Sequence, residues 1–195
     1  APQHQTARLY LFMERDLLRS QAVAQGSLIL FGPESTGGGN LPGGLFYWIM
    51  AIGQLVRPGL ESAWILIVAA FSLTLALAYT YLARIADRFV ALLAALFLFE
   101  ARFNKSTIMT FLNVSFLPLF CLLAIRGLTD AFSADQEKTR RRGFALAGAS
   151  IAMGIQFHYS IIMLAGIAAI LALFARKLRL QIPGRSELLA FLVFF

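Results

Sequence analysis

The sequence predicts an all-α, polytopic membrane protein with interfacial helices in its first outer loop. Three observations carry that prediction. Hydrophobic residues make up 59% of the 195-residue chain and charged residues only 14%, against about 25% charged in soluble domains. Mean hydropathy is +0.74. Ala63 to Ala83 runs 21 residues without a charge, and a bilayer core of roughly 30 Å needs about 20 apolar residues in a helix.

Residues 1–44 read as a polar outer loop that contains an amphipathic helix. At 100° per residue Arg15, Asp16, Arg19 and Ser20 fall on one arc and Leu17, Leu18, Ala22 and Ala24 on another, the pattern of a helix lying in the headgroup region, apolar face down. Glu14 falls with Gln21 and Gln25 inside the apolar arc, so Glu14 and Asp16 point about 160° apart and only one of them can face a common pocket. The plainer use of Asp16 is an ion pair with Arg19 or Arg15. The stretch from Phe31 to Gly44 is rich in glycine, and glycine lets backbone amides approach a phosphate. It lacks the lysine and threonine of a nucleotide-binding P-loop.

Residues 45–195 read as the transmembrane region, with the chain expected to continue beyond both ends. Leu41–Val56 is uncharged but only 16 residues long, Ser62–Ala83 is the clear span, and Phe89–Phe99 is a short run of 11. After a charged break at Glu100–Ser106, Thr107–Ile125 gives a span of 19 carrying Asn113 and Pro118. Gly143–Ala175 is 33 residues with no formal charge apart from His158. As one helix it would be about 50 Å long, too long for one crossing, so two short spans broken near Gln156-Phe157-His158-Tyr159 are expected. The total is about five to seven membrane helices.

The net charge of +7 sits in short loops: Arg84 and Arg88; Arg126, Lys138, Arg140, Arg141 and Arg142; Arg176, Lys177, Arg179 and Arg185. Such loops stay cytoplasmic during insertion, so the charge reports topology and not a nucleic-acid partner. Glu100–Ser106 and Gln156–Tyr159 then fall on the outer side. Ala1–Ser20 has no signal-peptide pattern. The one cysteine, Cys121, excludes an internal disulfide and reads as a passive thiol.

The order of Glu14-Arg15-Asp16-Leu17-Leu18-Arg19-Ser20-Gln21, Gly26, Gly32-Pro33, Pro42-Gly43 and Phe46-Tyr47-Trp48 resembles the first outer loop of GT-C glycosyltransferases. The branch it resembles is the bacterial one that holds protein mannosyltransferases and aminoarabinose transferases. Ala101-Arg102-Phe103 with Pro118 downstream, and Gln156-Phe157-His158, fit the same resemblance. It implies a multi-spanning enzyme of the bacterial inner membrane, its site open to the periplasm, that moves a sugar from a polyprenyl-phosphate donor to a protein, lipid or glycan acceptor. An acidic residue of the first outer loop would deprotonate the acceptor hydroxyl, and cations would steady the departing phosphate.

Two departures shape the assignment. Relatives carry their acidic pair where an ungapped match puts Phe12-Met13, so the catalytic base falls to Asp16 or Glu14, with Asp16 ahead. Aminoarabinose transferases place an acidic–basic pair before the proline where this chain has Asn40-Leu41, which counts against aminoarabinose as the sugar. Phosphate binding then falls to other groups, with Arg102, Lys105 and His158 as candidates; Arg19, Glu34, Asn40 and Gln156 complete the substrate-binding set. A lone histidine in an apolar stretch commonly serves packing, whereas polar groups at membrane depth are costly and often functional, and both readings of His158 stand. His4, His158 and scattered carboxylates lack the spacing of a metal site, and neither a metal nor another cofactor is expected. The expected partners are the lipid-linked donor and membrane lipids. The competing class is a transporter or flippase of a lipid-linked or anionic substrate, which would use the same broken spans and cations without chemistry.

Overall fold

The computed structural model describes residues 2–34, 38–101 and 112–195, with side chains from residue 11 onward. The chain is mostly helical, with eight α-helices and one two-stranded ribbon among the described residues. It divides into two compact units, Ala1–Pro118 and Leu119–Phe195.

In the first unit, helix α1 (Pro2–Ala24) leads through Gly26, at φ 97°, into an antiparallel ribbon of β1 (Phe31–Glu34) and β2 (Asn40–Pro42). The ribbon is a correction to the purely loop reading of the glycine-rich stretch. Gly38 and Gly39 take φ of 90° and 72° in the connection, conformations that cost other residues steric strain. Gly44 then lets the ribbon approach α2 (Leu45–Val56): a Cβ there would lie 2.0 Å from the Ile29 carbonyl oxygen. The indole of Trp48 donates to that same oxygen at 3.0 Å.

The turn from α2 to α3 (Leu60–Ile85) is organised by one buried amide. Gln54 accepts from the Gly59 N–H at 2.8 Å and donates to the Gly59 carbonyl and the Ser62 hydroxyl at 2.9 and 3.0 Å. Gly59 itself sits at φ 133°, where a side chain is strained. Helix α4 (Arg88–Glu100) starts at an Asp87 cap, whose carboxylate accepts from Phe89 and Val90 N–H, and packs back on α3 through Phe71 and Phe99. It ends at Glu100, where the charged break was expected.

The second unit holds most of α5 (Leu117–Ser133), then α6 (Glu137–Ile155), α7 (Ile162–Phe174) and α8 (Arg185–Phe194). Pro118 lies in the first turn of α5, where its missing N–H costs nothing. Helices α5 and α6 form a hairpin that closes on glycine: a Cβ on Gly127 would lie 2.7 Å from Gly143 O and Ala147 N, and one on Gly143 2.6 Å from Gly127 O and Ala131 N. Gly127-x-x-x-Ala131 thus faces Gly143-x-x-x-Ala147, the small-residue spacing that lets membrane helices touch backbone to backbone. Phe132, Phe144 and Phe191 stack edge to face beside this crossing.

The expected break in the 33-residue apolar stretch is present. Helix α6 stops at Ile155, and a 3₁₀ turn over Tyr159–Ile161 restarts the chain into α7. The turn at 134–136 and the loop at 175–184 share one end of the unit: Gln181 N–H donates to Phe132 O at 3.0 Å, and Arg140 bridges the Asp135 carbonyl (2.9 Å) and Glu187 at the start of α8 (2.6 Å). The break at 156–161 lies at the far end of α6, about 28 Å away.

Two helical stretches are long and apolar enough to cross a membrane, Leu60–Ile85 and Asn113–Ser133. Leu45–Val56 and Tyr159–Phe174 are apolar but shorter. The described residues therefore supply two helices long and apolar enough to cross a membrane, fewer than the five to seven membrane helices expected.

Candidate functional site

Of the expected site residues within 1–44, only Asp16 is buried, at 1% exposed. Its helix presents a polar face to α2, because Ser20, four residues on, is buried beside it and donates to the Asp16 carbonyl at 2.7 Å. The next residue, Gln21, donates to Gln54 at 3.4 Å. The opposite face carries Leu11 and Leu18 outward, the latter 58% exposed. Of the apolar arc expected to lie against headgroups, Leu18 is exposed while Leu17, Ala22 and Ala24 are half-buried.

The Asp16 carboxylate is gripped on one side. Its Oδ1 accepts from Arg15 Nε at 2.9 Å, from the Tyr47 hydroxyl at 3.0 Å, and lies 2.8 Å from Arg15 Nη2. Among the described residues no hydrogen bond reaches Oδ2. Tyr47 is held in turn: Arg19 Nη1 donates to its oxygen at 3.2 Å, with the guanidinium 5.7 Å from the ring centroid. Arg15 reaches onward to the carboxylate of Glu34 on β1 at 3.1 Å. One chain of contacts therefore runs Arg19, Tyr47, Asp16, Arg15, Glu34, and it draws on α1, α2 and β1. Phe46, packed edge to face on Tyr47 with a centroid distance of 5.4 Å, walls the cluster on the α2 side.

Burial dominates the electrostatics of Asp16. Removing the carboxylate from water pushes its pKa above the ordinary aspartate range, and the Arg15 charge, the Arg15 and Tyr47 hydrogen bonds and the more distant Arg19 charge pull it back only in part. An aspartate shifted this way holds a proton more readily, the property a general base needs.

The other expected residues fall in different places. Glu14 is exposed, turned away from the face that carries Asp16, as the 160° separation requires. Asn40 opens β2 opposite Glu34, both on the exposed side of the ribbon. Arg102 and Lys105 lie outside the described residues, as do Ser35 to Gly37 of the glycine-rich stretch. Gln156 and His158 belong to the second unit. His158 is exposed and caps the 3₁₀ turn: its Nδ1 accepts from Ser160 N–H at 3.2 Å and lies 2.8 Å from the Ser160 hydroxyl. That contact gives His158 a local structural use at the helix restart. Among the described residues no three histidine, cysteine or acidic side chains gather as a metal site requires.

Two members of the cluster are not in the expected set. Arg15 was legible only as a possible ion-pair partner of Asp16. Tyr47 had no signal beyond its place in an aromatic triplet, since a tyrosine that opens an apolar helix is indistinguishable from packing until its partner across 31 positions is known. Comparison with family models, with curated proteins and with solved structures finds no match for the chain.

Proposed function

We propose that this chain is a membrane glycosyltransferase that moves a sugar from a polyprenyl-phosphate donor to a lipid, protein or glycan acceptor at the outer face of the membrane, with Asp16 as its general base. The observation that carries the reading is the Asp16 carboxylate: buried, held at Oδ1 by Arg15 and Tyr47, and raised in pKa by that burial. Oδ2 takes the proton of the acceptor hydroxyl as its oxygen attacks the anomeric carbon. The bond from that carbon to the phosphate oxygen breaks, and the electron pair leaves on the polyprenyl phosphate. Arg19, which donates to Tyr47 beside the base, would meet the negative charge that develops on the leaving phosphate.

A membrane setting is supported by the character of the long helices. Only 22% of the most apolar stretch of α3 is buried, and Trp64, Ile65 and Leu73 are exposed. A helix at the centre of a soluble core would be mostly covered, and exposed apolar surface on this scale marks contact with lipid or another protein.

The test is release of free polyprenyl phosphate by the protein in nanodiscs, offered a panel of polyprenyl-phosphate sugars. Asp16→Asn should lower release by about 10²-fold or more, and Glu14→Gln, on the exposed face, should leave it within about twofold, the range of an exposed change away from any site. Equal loss in both variants would remove Asp16 from the role. The interrupted helix at 156–161 favours a second reading, a transporter of a lipid-linked or anionic substrate. Lipid-linked sugar that binds but is never cleaved would select it.

A further inference from the structure

The second unit carries its charge at one end. Arg141 and Arg142 on α6, Arg176, Lys177 and Arg179 in the loop after α7, and Arg185 opening α8 are all exposed. Among the described residues none of the six makes an ion pair. One of the acids at this end is withdrawn from them. Glu187, 2% exposed, accepts from Arg140 Nε at 2.6 Å with one oxygen and from the Gly184 N–H with the other. Asp135 and Glu137 are the exposed carboxylates nearby. The Gln181 and Arg140 contacts hold the loop, the α6 start and the α8 start together, so the cations form one collar.

Arg179 adds an independent observation. It sits at φ 56°, the one non-glycine residue in the left-handed region among those described. Its position follows the end of α7, where the Leu180 N–H closes onto the Ala175 carbonyl at 2.8 Å. Glycine is the usual occupant of that position, because a side chain there is strained. The turn therefore holds an exposed guanidinium at a position where glycine would relieve the strain.

We propose that this collar binds the headgroups of anionic phospholipids in the leaflet it faces. The proposal rests on the membrane reading above and is independent of sugar transfer. Apolar side chains stand just beside the cations, Leu173 and Phe174 at the end of α7 and Leu188 and Leu189 in α8, all exposed. Acyl chains would lie against these while the guanidinium groups meet the phosphodiester, a pairing that a zwitterionic headgroup offers only weakly. A soluble polyanion would use the cations and leave the apolar residues bare.

The experiment uses the chain in equimolar phosphatidylcholine and phosphatidylglycerol vesicles, with spin-labelled versions of each lipid. The readout is the ratio of the immobilised fractions. Phosphatidylglycerol should be preferred by about threefold or more, and the preference should fall toward unity in about 1 M salt, where screening is nearly complete. The triple variant Arg176→Gln, Lys177→Gln, Arg179→Gln should lose it, and Arg84→Gln with Arg88→Gln should keep it. Arg179→Gly should reduce the preference while the unfolding temperature stays level or rises, a combination that a purely structural arginine would not produce. A ratio of one in the wild type, or a ratio unmoved by the triple variant, overturns the proposal. Release of the chain by alkaline carbonate would overturn the membrane reading itself, whereas an integral chain with no lipid preference overturns only this inference.

Discussion

At the residue scale, the chemistry proposed for Asp16 rests on what its neighbours do to one oxygen. Three donor atoms converge on Oδ1, so the carboxylate is oriented before any substrate arrives. Tyr47 is the neighbour whose removal is most informative. Tyr47→Phe deletes a hydrogen bond to a charged group, worth about 1.5–3 kcal/mol, so turnover should fall by about tenfold to a hundredfold. The lost bond was lowering the Asp16 pKa, so the acid limb of the pH–rate profile should move to higher pH. A limb that stays in place would separate Tyr47 from the base. The same shift has a consequence for stability. The folded-state pKa of Asp16 lies above its unfolded value, so the folded state binds the proton more tightly, and stability contributed at low pH is lost as pH rises through the folded pKa. Asp16→Asn removes that penalty and should raise the unfolding temperature at neutral pH while it lowers the proposed transfer by about 10²-fold or more. A lower unfolding temperature would mean that the Arg15 pair outweighs desolvation.

At the element scale, the α5–α6 hairpin was not read from the sequence as a pair. Gly127, Ala131, Gly143 and Ala147 are individually ordinary in apolar helices, and only the fold sets the two small-residue ridges face to face. Gly143→Leu inserts a side chain where a single Cβ already lies 2.6 Å from backbone atoms, and should cost about 1–3 kcal/mol or more. Gly166 in α7 is the control, since a Cβ there meets nothing within 4 Å. Gly166→Ala should stabilise by up to about 1 kcal/mol through helix propensity. Thermal unfolding of the two variants in detergent checks both signs. The helix break at 156–161, by contrast, was legible, because a 33-residue uncharged run is longer than a bilayer accommodates and Gln156 and His158 mark where polar groups surface.

At the scale of the whole molecule, charge and hydropathy set an orientation that can be measured. In the second unit the basic end and the broken end are separated by the length of α6. With Cys121 replaced by serine the chain has no cysteine, and exposed Ser133 and Ser160 report the two ends. In intact cells a membrane-impermeant maleimide should label Ser160→Cys at once and Ser133→Cys only after permeabilisation. Labelling of both from one side would refute a crossing between them.

Composition and periodicity were enough to determine a mostly helical chain, its apolar stretches, the break in the longest of them and the opposed directions of Glu14 and Asp16. These are local properties, set by hydropathy and by 100° per residue. The pairing of the glycine-rich segment into a ribbon, the burial of Asp16 against Tyr47, the glycine crossing of α5 and α6 and the withdrawal of Glu187 from the basic collar were decided only by tertiary structure. All but the ribbon, a local hairpin, join residues far apart in the chain, and whether a polar side chain is solvated or buried depends on which partner the fold brings within hydrogen-bonding distance.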